Sequence, residues 1–384
     1  MYLPVIADAN FENHFRNLKQ VFLSITNECN LHCTHCLYKP WLKEEEEMPQ
    51  NIAVSLIKKF KEMGALKLSL LGGEPTIYGK NNKTNSLLGI VDIAHSLGYE
   101  YIRMATNGLF GGDILDDQRF HIFDEISFSL DGNKPEMHDL FRKKGAFKNA
   151  IYNMEHCLRK NINVDITICI HKQMLSASTD NSVSAIIEFI VWAESIGISR
   201  INFHPIIEMG IHRDKWIGDS SIGPFQWVQL YSKLNEEIHS KHIKTPIRLP
   251  MRYVNDEIFN FNKAYYGFCP VKLGERVEVH PNGIIQVCAL MKGTDVSIAN
   301  YELGDGGINI SWNSTKNEIS TNSIVCKEDS PCSVIKNTPS GFAPLCISFK
   351  PNQDEFVWKR SEVDKNNKPR NHSFVEQSIK GFMR

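Results

Sequence analysis

The alternation of short apolar segments with amphipathic segments over the first 240 residues constrains the fold more than any other feature of the sequence. The apolar segments predict six buried strands, at Val21–Thr26, Lys67–Leu71, Tyr101–Ala105, Glu125–Leu130, Asn163–Ile170 and Arg200–His204. A helical pattern follows each strand, at Asn51–Met63, Ser86–Leu97, Ile114–Ile122, Phe147–Lys160, Ser182–Ile196 and Phe225–His239. Six β/α units in a row predict an α/β fold with a parallel sheet and outer helices. Because a complete TIM barrel has eight units, we expect a partial (β/α)6 barrel, with a flat doubly wound sheet as the alternative.

The pattern changes after residue 240. Ile247–Val254 is a candidate seventh strand, and Arg276–Val279 with Ile284–Cys288 predicts a β-hairpin around a Pro-Asn-Gly turn. The hairpin lies in a region rich in cysteine, glycine and asparagine, and the residues after 350 are polar and charged. We therefore expect an N-terminal extension (1–20), a barrel (21–245), a cysteine-rich domain (246–350) and a polar tail (351–384).

The overall composition excludes some classes of protein. A net charge of −1 disfavours binding to nucleic acid through bulk electrostatics. No apolar run reaches 18 residues, so we expect no membrane span, and the N-terminus lacks the pattern of a secretory signal. Ten cysteines in a chain without an export signal indicate metal or redox chemistry in the cytoplasm, and not disulfides.

Three of these cysteines, Cys29, Cys33 and Cys36, lie on the segment that follows the first predicted strand. Their C-x3-C-x2-C spacing fits a [4Fe-4S] cluster in which three irons have protein ligands and one iron is open. Two other readings remain: a zinc site completed by His32 or His35, and three buried cysteines without a metal.

This segment resembles the hallmark of the radical S-adenosylmethionine (SAM) superfamily, in which C-x3-C-x2-C follows the first barrel strand. The resemblance implies that the open iron binds SAM and that one electron cleaves SAM to a 5′-deoxyadenosyl radical, which abstracts a hydrogen atom from the substrate. It also implies an external electron donor such as flavodoxin or ferredoxin. His35 precedes the third cysteine, where the family often has an aromatic residue, and is expected beside SAM.

Further segments at strand ends resemble SAM-binding segments of the same superfamily. Gly72-Gly73-Glu74 follows the second predicted strand, and the resemblance assigns it to the amino group of SAM. Thr106-Asn107-Gly108 and Ser127–Gly132 end the next two strands, and by the same resemblance Asn107, Ser129 and Asp131 bind the cofactor. Taken alone, each segment is also typical of an ordinary turn.

The fifth predicted strand places Asp165, Thr167 and Cys169 on one face and branched apolar residues on the other. If the apolar face meets the helices, Cys169 points into the barrel, where its thiol could donate a hydrogen atom to a substrate radical. The alternative is a buried cysteine that packs as a small apolar residue. Asn202 and His204 on the sixth strand are expected on the same inner face.

A second group of cysteines occupies the region after the barrel: Cys269, Cys288, Cys326, Cys332 and Cys346. The pattern C-x13-G-x4-C, from Cys269 to Cys288, resembles the start of the SPASM and twitch auxiliary-cluster domains. Five cysteines are too few for two fully ligated cubanes. We expect one auxiliary [4Fe-4S] cluster; two incompletely ligated clusters or a structural zinc site are the alternatives.

These resemblances together imply a radical SAM oxidoreductase or maturase. Its substrate is expected to be a ribosomally made peptide or a natural-product intermediate. The competing enzyme hypothesis is a dehydrogenase, epimerase or dehydroxylating enzyme acting on a sugar, cyclitol or amino acid. The first 20 residues are too few for a leader-recognition domain, so peptide recognition would use the catalytic body or a separate protein. A non-catalytic iron–sulfur or zinc protein with a redox-sensing role is the hypothesis from another class.

Overall fold

The computed structural model describes residues 12, 15–42, 46–80, 86–176, 183–206, 221–222, 224–248, 253–255, 257, 274–292, 297–304, 307–313, 340 and 342–344. The predictions for Cys269, Cys326, Cys332 and Cys346 lie outside these residues, as does the polar tail. No helix among the described residues is long and apolar enough to span a membrane.

Most of the described strands form one sheet of eleven, in the order β12-β11-β10-β9-β1-β2-β3-β4-β5-β6-β7. A second sheet pairs β8 with β13. The strands are β1 (Gln20–Ser24), β2 (Lys67–Leu71), β3 (Tyr101–Thr106), β4 (Glu125–Ser129), β5 (Val164–Ile170), β6 (Arg200–Pro205), β7 (Ile247–Arg248), β8 (Tyr253–Asn255), β9 (Arg276–Val279), β10 (Ile284–Gln286), β11 (Ala299–Gly304), β12 (Gly307–Trp312) and β13 (Phe342–Pro344). Neighbours from β9 through β1 to β7 are parallel.

The helices lie between these strands: α1 (Gln50–Glu62), α2 (Leu87–Ser96), α3 (Gly112–Asp116), α4 (Pro135–Phe141), α5 (Ala146–Arg159), α6 (Lys172–Ser176), α7 (Ser184–Ser195) and α8 (Pro224–Ser240). Their burial follows the helical period; in α1, for example, Ala53, Leu56, Ile57 and Phe60 are completely buried. The mostly parallel α/β sheet confirms the predicted fold class, a partial TIM-like barrel.

Three local predictions differ from the structure. The helix predicted over Ile114–Ile122 is divided into α3 and a 3₁₀ turn at Gln118–Ile122, because Asp117 is extended and its side chain caps the turn at Arg119 N, 2.9 Å away. The seventh strand is shorter than predicted: it ends at Arg248, and Tyr253–Asn255 belongs to the second sheet. The third difference is a set of elements that the sequence did not predict: helices α4 and α6 and strands β11, β12 and β13.

The inner and outer faces of the strands differ in polarity as the sequence predicts. Outward residues such as Ile126, Phe128, Ile166 and Ile168 are completely buried under the helices. The inner face carries a buried ion network near the start of the strands. Arg200 Nη2 lies 2.6 Å from carboxylate oxygens of both Glu125 and Asp165, and Arg103 lies 3.1 and 3.5 Å from the same two residues. Charged groups therefore fill this end of the barrel, and the opposite end, where the strands finish, is left for chemistry.

The predicted hairpin, β9–β10, extends the barrel sheet. Strand β9 is parallel to β1, with Gln20 opposite Arg276 and Leu23 opposite Val279. The N-terminal extension contributes to the same region, because the completely buried ring of Phe15 stacks on Trp312 of β12, with 5.8 Å between centroids. Residue 245 is the boundary expected between the barrel and the cysteine-rich domain, and strands from both sides of it form one continuous sheet.

Candidate active site

The cysteine loop after β1 is tied to the end of β2 by close backbone contacts. Gly73 N donates to Thr26 O and Glu74 N donates to Glu28 O, each over 2.7 Å. A Cβ atom at position 73 would lie 2.0 Å from Glu28 O, a separation that real Cβ atoms do not reach. Glycine at 73 is therefore required for the loop to pack against β2. The close approach at Gly73 is thus made by the chain's own backbone.

Glu74 is a buried connector between β2 and β3. Its carboxylate accepts hydrogen bonds from Thr106 Oγ1 and Asn107 N, both at 2.7 Å, and from Thr76 N and Oγ1 at 3.1 and 2.7 Å. Burial raises the pKa of this carboxyl, and the donors oppose the shift. The side chain thus holds two strand ends together, while the role of Gly72, Gly73 and Glu74 in binding SAM stays a prediction.

Asn107 connects the end of β3 to the cysteine loop. Its Nδ2 lies 2.8 Å from Asn30 Oδ1 and 3.7 Å from Cys29 Sγ. Asn30 in turn donates to Leu109 O over 2.7 Å. The residue predicted to bind SAM therefore lies beside the first cysteine of the triplet.

The three thiols of the loop share a buried environment. Burial, together with the smaller effect of the neighbouring cysteines, raises the pKa of Cys29 to about 12 and that of Cys33 to about 11. Burial also raises the pKa of Cys36. N–H groups point at the sulfurs: Leu31 N lies 3.4 Å from Cys29 Sγ, and Arg142 Nη1 lies 3.9 Å from Cys33 Sγ. Buried thiolates need a metal charge to be stable, and N–H donors suit thiolate ligands, so this donor set fits an iron–sulfur cluster.

Asp131 is the centre of a second buried group at the end of β4. Its Oδ2 accepts from Arg142 Nε at 2.7 Å and lies 3.3 Å from His35 Nε2, while Oδ1 accepts from Cys169 N at 3.2 Å. Ligand-type atoms of His35, Asp131 and Cys169 lie within 4.8 Å of one another. The guanidinium of Arg142 helps to hold the pKa of Asp131 well below its usual range. Because this cation already neutralises the carboxylate, the trio is a poor site for a separate metal ion.

The end of helix α4 is hydrogen-bonded to the cysteine loop. Phe141 O accepts from Thr34 N at 2.8 Å and from Thr34 Oγ1 at 3.1 Å. His138 Nδ1 accepts from Asp131 N at 3.1 Å, and burial lowers the pKa of this imidazole to about 4. The sequence motifs described above predict no role for His138 or Arg142 in this site.

The other residues predicted on the inner face occupy different depths. Cys169 is partly exposed at the end of β5, where it pairs with His204 of β6. The low-polarity surroundings of its thiol raise the pKa, and the negative charge of Asp131 adds a smaller contribution in the same direction. Ser129 is partly exposed opposite Thr167. Asn202 lies deeper and donates to Asp165 over 2.8 Å, so it belongs to the ion network.

The hairpin region contacts the cysteine loop directly. Lys292 Nζ lies 3.1 Å from Asn27 Oδ1 and 4.8 Å from the centre of the Tyr38 ring. Tyr38 donates to Glu278 Oε1 of β9 over 3.3 Å, and burial raises the pKa of Glu278 to about 7. Cys288, the described cysteine of the second group, is buried after β10. The contacts of Lys292 hold the segment that follows Cys288 against the cysteine loop.

Comparison with known proteins relates part of this chain to one superfamily. Residues 23–177 match the family model of the Radical SAM superfamily. GTP 3′,8-cyclase of Clostridium perfringens (strain SM101 / Type A) is 23% identical over 292 residues, which is 72% of this chain and 82% of the relative. A probable GTP 3′,8-cyclase of Methanothermobacter marburgensis is 29% identical over 144 residues, 38% of this chain and 45% of the relative.

Solved structures share the fold at lower sequence identity. Streptococcus suis SuiB bound to S-adenosylmethionine has a TM-score of 0.54 and 15% identity, covering 73% of this chain and 63% of SuiB. Native anSMEcpe with bound AdoMet and the Cp18Cys peptide also has a TM-score of 0.54, with 16% identity over 73% of this chain and 76% of anSMEcpe.

Residues 23–177 therefore form a radical SAM domain, and the chain that carries this domain is an enzyme. Membership implies a [4Fe-4S] cluster and SAM as cofactors, and the donor set described above fits the cluster. The hypothesis of a non-catalytic protein is wrong, because the matching family and relatives are enzymes.

Proposed function

We propose that the chain is a SPASM/twitch-type radical SAM enzyme that abstracts a hydrogen atom from a peptide or a natural-product intermediate. In this proposal Cys29, Cys33 and Cys36 hold the cluster. The supporting observation is the way in which three strand ends converge on the cysteine loop, through Gly73 at β2, Asn107 at β3 and the Asp131–Arg142 pair after β4.

Each part of this arrangement has a task in the proposal. A [4Fe-4S] cluster held by the three cysteines, with SAM bound, would supply the reductive cleavage of SAM to a 5′-deoxyadenosyl radical. Gly72, Gly73, Glu74, Asn107 and Ser129 line the strand ends where SAM is proposed to bind. His35 and Asp131 stabilise the wall beside it through their buried contact at 3.3 Å. Radical SAM enzymes need an electron donor, and we propose flavodoxin or ferredoxin for this role.

The peptide or natural-product substrate is favoured over a nucleoside triphosphate, the substrate in the names of the sequence relatives. Arg103 and Arg200 face the barrel interior, but both are engaged by Glu125 and Asp165. Ion pairing of these guanidiniums reduces their attraction for a polyphosphate. The C-x13-G-x4-C pattern and the fold likeness to SuiB and anSMEcpe, both crystallised with peptides, further support a peptide.

Cys169 is the residue that supports the second candidate, an epimerase. Its partly exposed thiol lies on the inner face, opposite His204. As a hydrogen donor it would give a hydrogen atom to the substrate radical, and the external electron donor and a solvent proton would then restore the thiol. With substrate in D₂O, the wild type should place deuterium on the product carbon and Cys169→Ala should not. Equal labelling by both proteins would exclude this role.

The second cysteine group is proposed to hold one auxiliary [4Fe-4S] cluster, with Cys269 and Cys288 plus two of Cys326, Cys332 and Cys346 as ligands. Contact between the hairpin and the triplet loop supports a site close to the first cluster. Anaerobic reconstitution should give about eight irons per chain. About four irons would rule out the second cluster.

SAM cleavage is the experiment that tests the proposed catalytic site. Reduced, reconstituted protein should release 5′-deoxyadenosine from SAM, and Cys29→Ala should abolish this release. Cys157→Ala is the matched control, because Cys157 is a completely buried residue of α5 outside both proposed cluster sites. If Cys29→Ala and Cys157→Ala both behave like the wild type, the triplet is not the catalytic site.

A further inference from the structure

Arg142 is a buried cation that follows α4 and reaches the cysteine loop. Its side chain is 9% exposed, and its Nη1 lies 3.9 Å from Cys33 Sγ. One fixed positive charge therefore lies within hydrogen-bond distance of a proposed cluster ligand.

The position of this charge is set by Asp131. The carboxylate receives Arg142 Nε over 2.7 Å and is held in turn by His35 at 3.3 Å and by the amide of Cys169 at 3.2 Å. The backbone around the pair is also fixed, because Asp131 N donates to His138 and Phe141 O accepts two hydrogen bonds from Thr34. Arg142 thus cannot move away from Cys33 without breaking a buried ion pair.

A charge in this position affects how readily the cluster accepts an electron. Reduction adds one negative charge to the cluster, and a nearby cation with an N–H···S hydrogen bond stabilises the reduced form. The effect is large because water is excluded from the pair. Asp131 acts in the opposite direction: its negative charge disfavours reduction while its oxygen orients the guanidinium.

We propose that the Arg142–Asp131 pair sets the reduction potential of the SAM-binding cluster, with Arg142 raising the potential and Asp131 lowering it. Both are positioning residues in this proposal. The electron comes from the external donor, and no bond is made or broken by either side chain. The inference rests on the proposed function in one respect, namely that Cys33 is a cluster ligand.

The test is a redox titration of the reconstituted holoenzyme, followed by electron paramagnetic resonance. The signal that SAM addition alters identifies the SAM-binding cluster, and its midpoint is then measured without SAM. At a fixed solution potential, Arg142→Gln should lower the ratio of reduced to oxidised cluster about tenfold, which equals about 59 mV for one electron. Asp131→Asn should raise this ratio by a similar factor, and the double variant should return towards the wild type.

Opposite signs separate this proposal from simple structural damage. Loosening of the site would shift the potential in the same direction in both single variants, and that result, or no shift, would overturn the proposal. Arg119→Gln is the matched control, because it removes an arginine from an exposed 2.7 Å pair with Asp117 and should leave the potential unchanged. If Arg142→Gln loses its iron, Arg142→Lys takes its place in the test. The cluster of Arg142→Lys should have nearly the wild-type reduction potential, while the potential of Asp131→Asn should still be higher than that of the wild type. A tenfold lower ratio of reduced to oxidised cluster in Arg142→Lys would contradict the charge effect. A wild type without any SAM-responsive signal would instead overturn the proposed function.

Discussion

Replacing Gly73 with alanine should detach the cysteine loop from β2 while the barrel stays folded. The added Cβ would lie 2.0 Å from Glu28 O, 2.4 Å from Glu28 C and 2.9 Å from Asn27 O, all of them backbone atoms that cannot rotate away. The loop must therefore retreat by more than an ångström to reach ordinary contact distance, and two backbone hydrogen bonds of 2.7 Å break with it.

The size of this effect follows from those contacts. Each lost backbone hydrogen bond costs about 1 kcal/mol, and overpacking costs about 1–3 kcal/mol. A surface loop can open at a lower cost than a destabilisation of about 3–5 kcal/mol, so the chain will relieve the clash locally by displacing the loop. We therefore expect Gly73→Ala to lose iron at the triplet, with a melting temperature only a few degrees lower.

The assay compares iron content after reconstitution and thermal unfolding of the metal-free protein. Gly112→Ala is the control, because a Cβ there meets nothing within 4 Å and alanine favours a helix. It should keep full iron content and unfold at the same temperature or slightly higher. If Gly73→Ala also kept wild-type iron and stability, the close packing of the loop on β2 would be incorrect.

Three further substitutions test the electrostatics and the caps. Folding raises the pKa of Glu278 from 4.5 to about 7, so the free energy of unfolding should decline as the pH rises through this interval. Glu278→Gln should remove this decline, which we expect to be about 1–3 kcal/mol between pH 5 and pH 8 in urea unfolding. An unchanged pH profile in the variant would refute the prediction. Arg200→Gln leaves Glu125 and Asp165 with one less partner and should reduce the free energy of unfolding by up to about 3 kcal/mol. The loss is limited because the arginine is partly exposed to water. A change below about 0.5 kcal/mol would show that the ion network contributes little to stability. Ser86→Ala should cost about 1 kcal/mol by removing the cap on Gly89 N, and a neutral result in thermal unfolding would refute the cap.

The six strands could be predicted because each is short, apolar and bounded by turn residues. Burial under helices imposes that composition regardless of the rest of the chain. Helix boundaries were less predictable where a single side chain decides them, as Asp117 does between α3 and the following turn. The seven residues of α4 are too few to show a helical period, and their place is fixed by contact with the cysteine loop.

Long-range pairing could not be predicted from local patterns. The hairpin was visible in the sequence, but its parallel alignment with β1 joins residues about 250 positions apart and depends on the whole sheet. The same limit applies to the site. The spacing of the triplet reveals its chemistry, whereas Arg142 reaches Cys33 across 109 residues and Lys292 reaches Asn27 across 265.

Direct binding of SAM to the cluster at Cys29, Cys33 and Cys36 is the central claim, and electron–nuclear double resonance on the reduced enzyme tests it most directly. SAM labelled with ¹⁷O in its carboxylate and ¹⁵N in its amino group should show coupling of both nuclei to the cluster in the wild type and in Cys157→Ala. Cys29→Ala should show neither coupling. A reduced cluster in the wild type without coupling to either label would contradict the account.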